Sequence, residues 1–272
     1  MKDRILPSTM IFGSVSLREA LSNIRAAGYD KAELCVVPGW VDHYDVKNAT
    51  FKTLADAIRT VAASGVRIVA VNFGLNWLDK DGTIIPCAEQ IARNALDLTS
   101  ALGAKVMTLA AGPIAPPEKK ESWRKIIAGR NAELAELAAA RGVQLSIEAP
   151  HKLSIAEQPD DIAVYWKEQI STLKVTLDPA HITYAGADAA AIAATLAHRC
   201  AHAHLRDAVP GNSLLKYGEG CVDFRGYIAA ICAAGYEGYF SMEFPTESAA
   251  EGVERLEHAK KFFAELYPET EA

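Results

Sequence analysis

One phrase recurs along this chain: an amphipathic helical stretch, then a glycine, then an apolar run with strand character. It occurs at Ala26-Ala27-Gly28-Tyr29, Ala63-Ser64-Gly65-Val66, Ala101-Leu102-Gly103-Ala104, Ala140-Arg141-Gly142-Val143 and Ala233-Ala234-Gly235-Tyr236. The first four of these glycines are 37, 38 and 39 residues apart. Each stands where a helix needs a left-handed closing residue, a conformation glycine reaches at little steric cost. A period of roughly 40 also suits propeller blades and helical repeats, but one strand and one helix per unit select βαβ crossovers and a parallel sheet.

The pattern predicts eight strands, at about 5 to 13, 31 to 37, 66 to 73, 104 to 111, 143 to 149, 173 to 178, 200 to 206 and 238 to 244. Helices are expected between them, at roughly 16 to 27, 50 to 64, 87 to 102, 119 to 141, 157 to 169, 187 to 197, 224 to 234 and 248 to 266. Eight alternating units favour a closed (β/α)8 TIM barrel, and the 272 residues fit the roughly 250 that such a barrel takes. No linker divides the chain, so residues 1–272 are expected to form one α/β domain. A doubly wound open sheet is the rival, but the first βα turn, Phe12-Gly13-Ser14-Val15-Ser16, lacks the G-x-G-x-x-G of dinucleotide binding. No phosphate-loop pattern occurs elsewhere.

Composition removes several function classes. Lys plus Arg number 28 against 34 Asp plus Glu, a net charge of −6, and no basic cluster offers a track for nucleic acid. No apolar run approaches the roughly 20 residues of a membrane span, and Met1 to Pro7 lacks the apolar segment of a signal peptide. The expectation is a cytoplasmic protein with neither nucleic acid nor membrane as partner. The cysteines, Cys35, Cys87, Cys200, Cys221 and Cys232, are odd in number and show no C-x-x-C spacing, which predicts buried free thiols.

The chemistry is expected at the carboxyl-terminal strand tips, where barrels of this kind carry their sites. Four successive strands end in metal-ligand residue types: Glu148 after the fifth, Asp178 with His181 after the sixth, His202 or His204 with Arg206 on the seventh, and Glu243 after the eighth. Three carboxylates desolvated together would repel one another unless a cation sat between them. Three oxygen donors and one nitrogen suit Mn2+ or Mg2+, with Zn2+ or Co2+ as further candidates. Residues 202, 204 and 206 face one side of their strand, and position 204, nearer the tip, is favoured over 202 as the ligand. His181, one helical turn past Asp178, points at a substrate or a second metal. His151 and Lys152, just past Glu148, are placed to touch a substrate. His198 and His258 fall in or beside helices and read as structural. The first four tips carry Ser14, the Pro38-Gly39-Trp40 loop with Asp42 and His43, Asn72 with Trp77, and Gly112-Pro113; these read as substrate walls, Trp40 and Trp77 equally as loop anchors.

These segments carry a resemblance. Ser-Ile-Glu-Ala-Pro-His around Glu148, Leu-Asp-Pro-Ala-His at 177–181, His-Ala-His-Leu-Arg-Asp at 202–207, Gly-Glu-Gly-Cys-Val-Asp-Phe at 218–224 and Gly-Tyr-Glu-Gly-Tyr-Phe-Ser-Met-Glu at 235–243 resemble the xylose isomerase-like TIM barrel superfamily. Within it the chain is most similar to the sugar phosphate isomerase/epimerase group, which includes ketose 3-epimerases, hydroxypyruvate isomerase and inosose dehydratase. The likeness is specific from Glu148 onward and loose before it. It implies a divalent metal held by Glu148, Asp178, His204 and Glu243, with Glu148 and Glu243 as the acid/base pair and His181 and Arg206 on the substrate's oxygens. The implied function is a metal-dependent isomerase or epimerase that moves a proton through an enediolate of a small sugar or polyol. A dehydratase of the inosose dehydratase type is the alternative. An endonuclease IV-like nuclease fits less well, because Trp40 and Asn72 stand where that site needs histidines, and a non-catalytic sugar-binding barrel would need no paired bases. Such barrels pair commonly, so a homodimer or homotetramer is expected. A phosphate on the substrate would want a cradle near the last two strands, for which Arg206, Gly211 and Lys216 are the candidates.

Overall fold

A computed structural model describes residues 1–268. Eight strands and nine α-helices alternate among the described residues: β1 (Ile5–Pro7), α1 (Leu17–Ala26), β2 (Lys31–Val36), α2 (Phe51–Ser64), β3 (Arg67–Phe73), α3 (Ala88–Ala101), β4 (Val106–Ala110), α4 (Lys120–Ala140), β5 (Gln144–Glu148), α5 (Pro159–Glu168), β6 (Lys174–Leu177), α6 (Pro179–Tyr184), α7 (Ala189–Leu196), β7 (Cys200–Leu205), α8 (Phe224–Ala233), β8 (Phe240–Met242) and α9 (Ala249–Leu266). The strands form one parallel sheet in the order β1-β8-β7-β6-β5-β4-β3-β2. A single parallel bridge between Ser8 and Glu33 joins its two ends into a nearly closed barrel. The fold is the TIM barrel.

The five glycines of the recurring phrase all take positive φ, from +68° at Gly142 to +91° at Gly28. Gly65 shows the use: it closes α2 in the left-handed conformation, while Thr50 and Thr53 form a reciprocal capping box at the other end of that helix.

Two strands are shorter than the sequence pattern predicts. The first is expected over 5 to 13 but ends at Pro7, after which Ser8 caps a one-turn 3-10 helix, Thr9–Phe12, by accepting from the Met10 amide. The last is expected over 238 to 244 and pairs only over Phe240–Met242. An extra short helix, α6, begins on Pro179 directly after β6.

Apolar residues fill the layer between strands and helices, for example Leu34, Val71, Phe73, Leu109, Ile147, Leu177 and Leu205. The barrel interior is different. Branched aliphatic side chains usually fill such interiors, but here Thr108 and Thr176 share a hydrogen bond of 2.8 Å, Ser146 bonds the same Thr176 hydroxyl, and His202 meets Ser241 at 2.8 Å. A floor of small hydroxyls leaves room above it for larger polar groups, and that is where the strand tips place their charges.

Candidate metal centre

Alternation along each strand aims the same parity inward, so the tips of β5, β7 and β8 and the residue after β6 converge. One ligand atom each of Glu148, Asp178, His204 and Glu243 lies within 4.8 Å of the others, and all four residues are buried. The His204 Nδ1 stands 2.9 Å from Glu148 Oε1 and 3.2 Å from Glu243 Oε2. Asp178 begins α6 as its N-cap, with Oδ1 accepting from the Ala180 amide at 2.7 Å. Its other oxygen, Oδ2, is buried with no hydrogen-bond partner, 3.5 Å from His181 Nε2 and 3.8 Å from Arg206 Nε.

The electrostatics describe a cluster arranged for a cation. Burial disfavours a charged His204, yet Glu243, Glu33 and Glu148 hold its pKa well above the ordinary histidine value. Its Nδ1 thus faces two carboxylates, Glu148 and Glu243, at once. Burial, reinforced by the charges of Glu148 and Glu33, pushes Glu243 up to about 7 against the opposing pull of His204 and Arg206. Burial also raises Asp178, with the Glu148 charge adding to it against Arg206. Three buried carboxylates, an imidazole and an unpartnered carboxylate oxygen fit a divalent ion of oxygen-preferring or borderline character. The residues that would hold it are Glu148, Asp178, His204 and Glu243.

One residue of the centre escaped sequence reasoning. Glu33, fully buried in β2, accepts from His204 Nε2 at 3.0 Å and lies 2.7 Å from His202 Nε2. Burial would raise its carboxyl, but the charges and hydrogen bonds of His204 and His202 outweigh it and hold the group well below the carboxylate range. The signal was present in Lys31-Ala32-Glu33-Leu34-Cys35-Val36, a glutamate in the middle of a buried strand whose inward parity it shares with Cys35. Holding Nε2–H on Glu33 leaves Nδ1 as the nitrogen that faces the other ligands, the usual task of a carboxylate behind a metal-bound histidine. Glu33, His202 and His204 form a second, deeper group of potential ligands. Each group keeps one buried carboxylate oxygen unpartnered, Glu33 Oε1 in the deeper and Asp178 Oδ2 in the outer, but the outer group brings three carboxylates to one imidazole and the deeper only one to two.

The other expected site residues divide. His181 is buried, with Nε2 3.6 Å from Glu148 Oε1, and its ring lies against that of His151 at 3.9 Å between centroids. Burial and then the neighbouring His151, Arg206 and Lys152 hold its pKa well below the usual value, so it meets the centre as a neutral ring. His151 Nε2 is 3.8 Å from Glu148 Oε2. Arg206 and Asn72 reach Glu243: Arg206 Nη2 donates to Oε2 at 2.6 Å and Nε to the Glu243 carbonyl at 2.8 Å, while Asn72 Nδ2 donates to Oε1 at 2.6 Å. Both fix the orientation of that carboxylate.

Of the two readings open for Trp77, wall or anchor, the anchor holds: its indole is buried in the helix-side core and Nε1 donates to Asn131 of α4 at 2.8 Å. His43 likewise turns inward, within 3.0 Å of Thr9 Oγ1 and 3.2 Å of the Phe12 carbonyl, while Trp40 is 54% exposed. Lys216 is paired with Glu254 at 2.9 Å on the surface and offers no phosphate cradle. His258 is structural as expected, bonded to the Tyr217 carbonyl at 2.7 Å. Asp207 carries the neighbouring loop, accepting from the amides of Ala208, Gly218, Gly220 and Val222. The five cysteines are free thiols, but only Cys35 is buried; Cys87 and Cys221 are exposed, which corrects the expectation of burial. No helix among the described residues is long and apolar enough to cross a membrane. A cleft of about 570 Å³ at the opposite, amino-terminal end of the barrel, lined by Arg25, Tyr29, Lys31 and Lys260, contains none of these ligand groups.

Comparison with known proteins agrees with this architecture. An inosose dehydratase of Geobacillus thermodenitrificans (strain NG80-2) is 28% identical over 154 residues, 49% of this chain and 51% of the relative. A putative L-ribulose-5-phosphate 3-epimerase, SgbU, of Escherichia coli (strain K12) is 28% identical over 194 residues, 67% of this chain and 66% of the relative. The chain therefore aligns with about half of the dehydratase and just under two thirds of the epimerase. A crystal structure of IolI protein with a bound zinc atom superposes with a TM-score of 0.72 at 17% identity, covering 97% of each chain, which is a likeness of fold. Residues 21–266 match the family described as xylose isomerase-like TIM barrel, and the chain belongs to that family.

Proposed function

We propose that this protein is a divalent-metal-dependent isomerase or epimerase that moves a carbon-bound proton on a small polyhydroxylated carbonyl compound through its enediolate. The observation that carries the reading is the placement of two buried carboxylates, Glu148 and Glu243, 2.9 and 3.2 Å from one imidazole nitrogen and delivered by different strands. A binding module has no need of two such bases. The ion, Mn2+ or Mg2+ by the donor set, would polarise the carbonyl and its neighbouring hydroxyl and so acidify the carbon-bound hydrogen.

The chain's own residues then take the following parts. Glu243, buried and oriented by Arg206 and Asn72, is placed to accept or return a proton. Glu148 borders the more open side with His151, and His181, neutral beside it, offers a hydrogen bond to a substrate oxygen. Return of the proton to the adjacent carbon gives isomerisation, and return to the opposite face gives epimerisation. Loss of a β-hydroxyl from the same enediolate gives dehydration. That second reading is supported by the relative named inosose dehydratase, while the relative named as a 3-epimerase supports the first.

Incubation of Mn2+-loaded protein with ketoses and inososes in deuterated water tests both. Solvent deuterium in recovered sugar supports proton transfer, and an ultraviolet-absorbing enone supports dehydration. Glu243→Gln is expected to lower turnover by about a thousandfold, within the usual range for removing a positioned general base. Wild-type turnover in that variant, or no dependence on a divalent ion after chelation, refutes the proposal.

A further inference from the structure

We propose that Lys152 and Ser213 form an anion subsite at the mouth of the barrel, which selects substrates carrying a terminal carboxylate or phosphate. The inference rests on the functional reading above and deepens it, because it assigns the charge of the substrate at that same site.

Lys152 sits two residues beyond Pro150 in the loop after β5, next to His151, which borders Glu148. Its ammonium donates to the hydroxyl of Ser213 and lies 5.2 Å from the centroid of the Tyr184 ring. Three segments therefore clasp it: the β5–α5 loop, the end of α6 and the β7–α8 loop, the last two tied together by the Gly211 amide on the Tyr184 carbonyl at 3.0 Å. Ser213 is buried and Lys152 half-buried. Among the described residues no carboxylate lies within ion-pairing distance of Lys152, unlike Lys120, Lys125 and Lys216, which each face an acid within 3 Å.

A half-buried ammonium whose close partners are one neutral hydroxyl and the face of a ring recovers only part of its lost hydration, and an incoming anion would recover more. The backbone beside it points the same way. Leu153 holds φ at +54° with its side chain 57% exposed, a left-handed conformation costly for a bulky residue and without burial of its own to offset it. At this turn Lys152 lies half-buried against Ser213 while Leu153 faces solvent.

The test compares three four-carbon probes by isothermal titration of the Mn2+-loaded full chain: erythritol, threonate and erythritol 4-phosphate. In the wild type the anionic probes are expected to bind about tenfold tighter than erythritol, the size of one charge-assisted contact. In Lys152→Gln the ratio of affinities is expected to fall to about one, and in Ser213→Ala to fall by a few-fold, as one neutral hydrogen bond warrants. The arm that carries the preference, threonate or the phosphate, identifies the anion. A ratio near one in the wild type, no detectable binding of either anion, or a ratio that survives in Lys152→Gln each overturns the proposal. Uptake of Mn2+ is titrated separately in both proteins: uptake with no anion preference refutes the subsite alone, while failure of uptake refutes the metal-dependent reading.

Discussion

Replacing Glu33 is the sharpest test of how the centre is built, because this side chain touches the proposed ion only through His204. Its Oε2 accepts from His204 Nε2 at 3.0 Å and lies 2.7 Å from His202 Nε2, with no solvent access. Glu33→Gln keeps an acceptor oxygen but removes the charge. Hydrogen bonds to charged groups contribute about 1.5–3 kcal/mol against about 0.5–1.5 for neutral ones, so the loss is about 1.4 kcal/mol, or about tenfold in Mn2+ affinity. Glu33→Ala removes the acceptor altogether and leaves a buried N–H unsatisfied. The ring is then free to protonate on Nδ1 and turn that nitrogen away from the other ligands, and the expected loss is about a hundredfold, the upper end for partners of metal-bound histidines. The assay is calorimetric titration of metal-free protein with Mn2+, with thermal melting to verify that each variant is folded. Folded Glu33→Ala with wild-type affinity refutes the argument. Abolished binding in Glu33→Ala alongside intact binding in Asp178→Asn also refutes it, and would move the ion down to the Glu33, His202 and His204 group.

Two further perturbations probe the scaffold. Burial holds the pKa of His43 below its usual 6.5, so the unfolded chain takes up that proton at higher pH than the folded one; the stability it contributes is present above about pH 6.5 and is lost as pH falls below it. Melting between pH 7.5 and 5 is expected to show a slope that His43→Asn reduces by up to about 1.4 kcal/mol per pH unit, and an unchanged slope refutes the assignment. Gly220→Ala would drive its Cβ into the Asp207 carboxylate and to 2.6 Å from the Ala208 carbonyl, so a loss of about 1–3 kcal/mol is expected in denaturant unfolding, and wild-type stability would show that the loop yields.

The sequence reveals the barrel because its periodic helix–glycine–strand phrase is local: each glycine's left-handed φ can be inferred from the residues beside it. It makes Glu148, Asp178 and Glu243 stand out as candidate ligands because each ends an apolar run, where a charge is conspicuous, while His204 is singled out from His202 on the same strand only by its place nearer the tip. Glu33 is less conspicuous. It lies within its strand, and its partner His204 is 171 residues away, so only the closed barrel brings them together. Trp77 misleads for a related reason. A loop tryptophan after a strand tip reads equally as wall or anchor until Asn131 on a distant helix supplies the partner for its N–H. The shortening of β1 follows from Pro7 and the Ser8 cap, local features that the apolar character of Ile5 to Phe12 conceals.

Asp207 gathers four backbone amides from the segment that follows β7, two of them on the glycines flanking Glu219. A single carboxylate thus pins both roots of that segment independently of the side chains between them. Residues 209 to 216 run between these anchors, bridged within by Val209 and Asn212 and capped where the Asn212 side chain accepts from the Leu214 amide. A change confined to the rim position Ser213 can therefore leave both ends of the loop moored.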